Sequence, residues 1–120
     1  MDKPQTYDDA AIQARLKATL PHWTLAEGTL QRTYKTASWK ATLMVVTTIG
    51  HLAEAAWHHP DLAVSYNSVT VKLSTHSAKG ITDLDFALAA KIEDVVGWRP
   101  GAPFTGTPAD PRHAYIKYEA

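Results

Sequence analysis

There is no cysteine among these 120 residues, which excludes a disulfide framework, a thiolate nucleophile and a zinc–thiolate site. Nor does charge of one sign prevail, since twelve basic residues stand against twelve acidic ones. That balance argues against nucleic acid or an anionic membrane as the main partner. No apolar run approaches the roughly 18 residues of a membrane span. The start, Met1-Asp2-Lys3-Pro4, lacks the apolar core of a signal peptide. Internal repeats and low-complexity tracts are missing as well. A cytoplasmic protein is the expectation. What remains is ordinary globular composition, 45% hydrophobic and 20% charged, long enough for one domain with a modest core.

The densest chemistry lies in Glu54-Ala55-Ala56-Trp57-His58-His59-Pro60. On a helix, Glu54 and His58 stand four apart and share a face. Pro60 has no N–H and pushes His59 out of the α region, so a helix is expected to end here. Sixteen residues separate the pair from His76, which stands at the end of a strand-like alternation. Glu54, His58, His59 and His76 are therefore the candidate site.

The chain in order reads as follows. Residues 1–6 are polar. Thr6 with Asp9 predicts a capping box, and Ile12, Leu16 and Leu20 recur at helical spacing up to Pro21. Residues 23–26 and 29–36 predict two strands around a Glu27-Gly28 turn. Ser38 is an expected N-cap for a helix running to about Trp57. Val45-Val46-Thr47-Thr48-Ile49 is locally strand-like, but periodicity decides for helix. Trp39, Leu43, Val46, Ile49, Ala53 and Trp57 predict its apolar face, with Lys40, Thr47, His51, Glu54 and His58 in a polar line beside it. Residues 62–66 and 69–75 predict a hairpin around Asn67-Ser68. Thr82 with Asp85 predicts a second capping box, opening a helix through Phe86, Ala89, Ile92 and Val96 that Gly97 ends at a C′ position. From Trp98 the chain is rich in Pro and Gly, with residues 114–118 as the candidate for a last short edge strand.

The order α-β-β-α-β-β-α predicts an α+β fold, a four-stranded antiparallel sheet with three helices on one face. We read residues 1–120 as a single domain, with a core at about 7–97 and an irregular tail at 98–120. Open sheet edges and an open face make homo-oligomerisation an expectation.

Histidines titrate near neutrality, so several around one pocket give and take protons at physiological pH. Glu54 beside His58 is expected to favour the imidazolium or fix its tautomer. Such a set suits a dehydration, in which a hydroxyl is protonated while a neighbouring N–H is deprotonated. The plainer readings stand beside it: a Glu/His pair on a helix as a surface contact, His59 as a turn residue, His76 as a solvated strand end. Thr82 and Asp85 are accounted for by capping, and Trp23, Trp39 and Trp57 are expected in the core. A zinc site of His51, Glu54, His58 and His76 is the rival chemistry. Its spacing is not that of the zinc proteases.

An acidic residue, three residues, His-His-Pro, an aromatic six after the proline, a histidine ten further on and an aspartate beyond are together a family signature. Glu54, His58-His59-Pro60, Tyr66, His76 and Asp85 match it at every spacing. With Ser74-Thr75-His76 and Tyr66-Asn67, the chain from its first helix to Val96 resembles the pterin-4a-carbinolamine dehydratases. The resemblance implies loss of water from 4a-hydroxytetrahydrobiopterin to give quinonoid dihydrobiopterin, in tetrahydrobiopterin recycling. It implies no metal or cofactor, and a homodimer or homotetramer. It assigns acid/base roles to His58 and His76, with Glu54 assisting and His59 mostly holding the pterin. Trp57, His58, His59 and Pro60, with Ser74, Thr75, His76 and Ser77, would line the substrate site. The loop Ser77-Ala78-Lys79-Gly80 departs from members that carry Glu and Cys there. Relatives of this fold also act as binding proteins, as dimerisation cofactors of a transcription factor or as assembly factors for a carbon-fixing enzyme. Loss of catalysis would be expected to remove the histidines, which this chain keeps.

Overall fold

The structure, a computed structural model, describes residues 5–118. Residues 1–4 of the polar start and 119–120 of the tail lie outside the described residues. The elements run α1 (Asp9–Thr19), β1 (Thr24–Ala26), β2 (Thr29–Thr36), α2 (Trp39–Ala56), β3 (Asp61–Ser65), β4 (Ser68–Leu73), α3 (Asp83–Val96) and β5 (Ile116–Lys117). The α+β reading holds. The sheet is antiparallel in the order β1-β2-β4-β3, and β5 adds a fifth strand by pairing with β2. β1 and β5 share the same edge of β2 at its two ends, opposite Thr29–Gln31 and Lys35–Thr36. The tail thus covers part of an edge that a four-stranded sheet would leave open.

Alternation sorts each strand into two faces. Leu30 and Tyr34 on β2, with Val69, Val71 and Leu73 on β4, are buried against Val45 and Ile49 of α2 and Phe86, Ala89 and Ile92 of α3. On the other face Thr33 and Thr70 meet across the sheet, their hydroxyls 2.8 Å apart. One corner of the core is polar. Glu93 Oε1 accepts from Trp23 Nε1 (2.9 Å), Arg32 Nε (2.9 Å) and the Tyr34 hydroxyl (3.0 Å). Burial works against the charge of Glu93, but the hydrogen bond and charge of Arg32 and the Trp23 and Tyr34 donors outweigh it. Its carboxyl is held below the ordinary range.

Local signals explain most of the elements. Glu27 and Gly28 both adopt positive φ, +53° and +74°, the mirror-image turn that suits a two-residue hairpin. Thr82 and Asp85 form the expected capping box. The first helix differs: Asp8, not Thr6, caps it by accepting from Ala11 N–H at 2.8 Å. The second hairpin turns on Tyr66-Asn67, because Ser65 pairs with Ser68. Gly97 ends α3 at φ −83° rather than in the left-handed region. A side chain there would stand 2.6 Å from the Glu93 carbonyl oxygen, so close approach rather than backbone freedom calls for glycine.

The largest correction concerns the phase of α2. Ser38 caps it as expected, and the β-branched patch is helical. Thr47 and Thr48 hydroxyls bond back to the carbonyls of Leu43 and Met44 at 2.9 Å each, which satisfies them within the helix. The buried stripe, however, is Ala41, Thr42, Val45, Ile49 and Ala53. Trp39, Leu43 and Trp57 are exposed, so of the three tryptophans expected in the core only Trp23 is there. Small and β-branched residues let the helix lie close to the sheet. Thr42 secures it, with its hydroxyl 2.6 Å from that of Thr36 and 2.7 Å from the Tyr66 carbonyl. Ile49 and Ala53 lie on the buried side as expected, but a hydrophobicity pattern that ranks tryptophan above threonine puts Trp39 and Leu43 inward in place of Thr42 and Val45.

Candidate functional site

Helix α2 stops at Ala56, two residues earlier than Pro60 alone requires. Trp57 takes a left-handed conformation, φ +52°, ψ +47°. His58 N–H then bonds to the Ala53 carbonyl at 3.1 Å and Trp57 N–H to that of Glu54 at 3.2 Å. These are the two bonds of a Schellman cap, here without glycine. The cap breaks the shared face of Glu54 and His58. Neither is the partner of the other.

Each histidine instead finds its own carboxylate. His58 Nε2 lies 2.7 Å from Asp85 Oδ1, with the imidazole 13% exposed and the aspartate 0%. His59 Nε2 lies 2.6 Å from Glu54 Oε1, with both side chains open to solvent at 48% and 69%. Asp85 therefore does more than cap. One oxygen, Oδ2, closes the capping box by accepting from Thr82 N–H at 2.9 Å and also accepts from the Thr75 hydroxyl at 2.7 Å. The other oxygen is left for His58. The sequence held one sign of this, the aspartate closing the family signature, whereas capping logic alone gave Asp85 no further part.

His76 sits in the same corner by a different route. The β3–β4 register, Asp61 opposite Lys72, brings the residues before β3 level with those after β4. β4 ends at Leu73, and His76 opens a 3₁₀ turn over His76–Ala78 rather than closing a strand. Thr75 and Gly80 pin that turn with a bridge, N–H to carbonyl at 2.9 Å. Because Thr75 also holds Asp85, the loop bearing His76 is tied to His58 through one carboxylate. His76 is exposed, as is Ser77, while Ser74 is half-buried. Trp57, 76% exposed, sets its ring edge-on to His59 with centroids 5.0 Å apart. Pro60 is half-buried beside them.

Among the described residues, no group of three or more His, Asp or Glu side chains is gathered so that it could hold a metal ion. His51, the fourth member of the rival zinc set, is exposed on α2. A cavity of about 500 Å³ lies elsewhere, between α2, α3 and the tail, lined by Val45, Trp98, Phe104 and Tyr115 among others. None of the candidate site residues lines it. No described helix is long and apolar enough to cross a membrane.

A corner that brings two histidines, two carboxylates and a third histidine's loop together on an α+β sheet, without cysteine, has the equipment of a proton-transfer site. Comparison with known sequences narrows that class. The family model for Pterin 4 alpha carbinolamine dehydratase matches residues 5–95, and the chain belongs to that family. A provisionally named pterin-4-alpha-carbinolamine dehydratase of Aquifex aeolicus is 48% identical over 77 residues, 64% of this chain and 78% of that protein. One from Chloroflexus aurantiacus is 45% identical over 89 residues, 74% of this chain and 95% of its own length. Among solved structures, a transcriptional coactivator/pterin dehydratase from Brucella melitensis is 26% identical. It superposes with a TM-score of 0.69 over 76% of this chain and 98% of that one. A pterin dehydratase-like RuBisCO assembly factor of the alpha-carboxysome shares the fold, with a TM-score of 0.53 at 17% identity. The tail that builds β5 and the cavity lies beyond the family match.

Proposed function

We propose that the protein dehydrates 4a-hydroxytetrahydrobiopterin to quinonoid dihydrobiopterin by histidine acid/base catalysis, in tetrahydrobiopterin recycling. The observation that carries the reading is the His58–Asp85 pair. An imidazole held at 2.7 Å by a buried carboxylate is fixed in place in a mostly enclosed corner, as a group that passes a proton to a leaving hydroxyl must be. His76, on the facing loop, is the second acid/base group and takes the proton from the neighbouring N–H. The hydroxyl leaves as water with the C–O electron pair, and the N–H pair becomes the new C=N bond, so no nucleophile or redox partner is consumed.

His59 holds the pterin, with Trp57 offering an aromatic edge beside it. Glu54 assists through His59, to which it is bonded, rather than through His58. Pro60, Ser74, Thr75 and Ser77 frame the site. The proposed reaction uses no metal: enzyme stripped with a chelator should turn over at an unchanged rate, and a loss restored by zinc would refute that point. Assembly into a homodimer or homotetramer is supported by Trp39, Leu43 and Met44, which stand exposed along α2. Light scattering on Leu43→Glu against the native chain tests it.

The same exposed stripe favours a second reading, a binding protein that acts through a protein partner, as the coactivator name of the Brucella relative describes for that protein. A stopped assay separates the two. The dehydratase reading requires a rate well above spontaneous dehydration of the carbinolamine, falling on His58→Ala. A native chain no faster than the spontaneous reaction would leave the binding reading.

A further inference from the structure

The buried hydrogen bonds beneath His58 have a direction, and that direction selects one ring nitrogen. Thr75 Oγ1 donates to Asp85 Oδ2 at 2.7 Å. A hydroxyl has a single proton, so the 2.8 Å contact between Thr75 and Thr82 must be made with the proton of Thr82. Thr82 can donate, because its oxygen already accepts from Leu84 N–H at 3.2 Å. The chain therefore runs Leu84 N–H, Thr82 O–H, Thr75 O–H, Asp85 Oδ2, each bond polarising the next. Asp85 Oδ2 receives a second donor, Thr82 N–H, at 2.9 Å.

Two donors on Oδ2 leave no room there for a carboxyl proton. The only proton remaining lies between Oδ1 and His58 Nε2, 2.7 Å apart. Imidazole is the stronger base of the two in ordinary water, at about 6.5 against about 3.9. That proton belongs to Nε2. Among the described residues Nδ1 of His58 has no hydrogen-bond partner.

We infer that Thr75 and Thr82 are positioning residues. Acting through Asp85, they hold neutral His58 as the Nε2–H tautomer and leave Nδ1 as the nitrogen that gains and loses the proton. Threonine rather than valine at these two buried positions is then a requirement of the proton arrangement. The use of Nδ1 in turnover rests on the dehydratase reading; the tautomer does not.

The test is long-range nitrogen–proton NMR of the histidine rings at a pH where they are neutral, with His58 assigned by loss of its signals in His58→Gln. The native chain should show His58 protonated at Nε2 and bare at Nδ1. Thr75→Val, nearly the same shape, should show a mixed tautomer. It should also lose about 10-fold in kcat with little change in KM, the scale of one lost hydrogen bond. Thr75→Ser, which keeps the hydroxyl, should recover most of that loss. A native His58 protonated at Nδ1 overturns the inference. So does a Thr75→Val protein with the native ring spectrum and native kcat. If Thr75→Val fails to fold, the native ring spectrum still decides. A native chain with Nε2–H but no dehydration overturns the proposed function and leaves this assignment standing.

Discussion

Two histidine–carboxylate pairs lie side by side in this protein, nearly equal in length and opposite in setting. His58–Asp85 spans 2.7 Å with the aspartate wholly buried, whereas His59–Glu54 spans 2.6 Å with both partners exposed. Distance alone would rank them together. Water separates them: exposed pairs contribute about 0–1 kcal/mol, while breaking a buried pair costs about 3–5 kcal/mol because one charge is left without a partner. Asp85 is also anchored by two further groups, the Thr75 hydroxyl and the Thr82 N–H of the α3 capping box. Among the described residues, Glu54 has only His59. One pair is therefore built to hold a ring in a set orientation, and the other is held only by an exposed contact.

The largest expected effect tests the buried pair directly. His58→Ala should lower kcat by about 10²–10⁴, the usual cost of removing a general acid or base, and His76→Ala by a similar factor, each with a modest change in KM. Steady-state kinetics on both variants reads this out. If His59→Ala alone abolished turnover while His58→Ala stayed near native, the contrast between the pairs would be wrongly drawn.

Next in size is Glu93, a half-buried carboxylate with no part in the proposed chemistry. Glu93→Ala removes the oxygen that accepts from Trp23, Arg32 and Tyr34 and should cost about 1–3 kcal/mol in denaturant unfolding. The same group gives a pH signature. Because its folded value lies below the ordinary one, its contribution is complete above about pH 4.5 and is lost as pH falls through the folded value. Glu93→Gln should therefore flatten the acid limb of the stability curve relative to the native chain. Parallel curves would show that the Arg32 contact adds nothing there.

The exposed pair should give the smallest numbers. His59→Ala should raise KM more than it lowers kcat, the pattern of binding lost equally from ground and transition states. Glu54→Gln should change unfolding free energy by less than about 1 kcal/mol, measured in denaturant. A larger loss from Glu54→Gln than from Asp85→Asn would reverse the ranking of the two pairs.

The element order, the cap residues Ser38 and Thr82, the Glu27-Gly28 turn and the α2 helix across its β-branched patch were all legible, because each depends on local spacing and backbone preference. The phase of α2 was not, since burial there depends on how closely Ala41 and Thr42 let the helix approach the sheet. Nor were the partners of the histidines. Glu54 and His58 have helical spacing, and only the left-handed turn at Trp57 separates them. A positive φ at a tryptophan has no sequence signal, because few residues other than glycine, asparagine and aspartate favour it.

Residue types and their spacing were thus enough to determine the α+β class, the family and the set of titratable groups. These are properties of short stretches of chain and of a signature counted along it. Which carboxylate serves which histidine was decided only by tertiary structure. Asp85 reaches His58 from a different helix, across 27 positions of sequence, and does so because Thr75 and Thr82 hold its other oxygen. A hydrogen-bond partner is chosen by three-dimensional distance and by what solvent leaves available. Neither quantity exists until the helices have closed on the sheet.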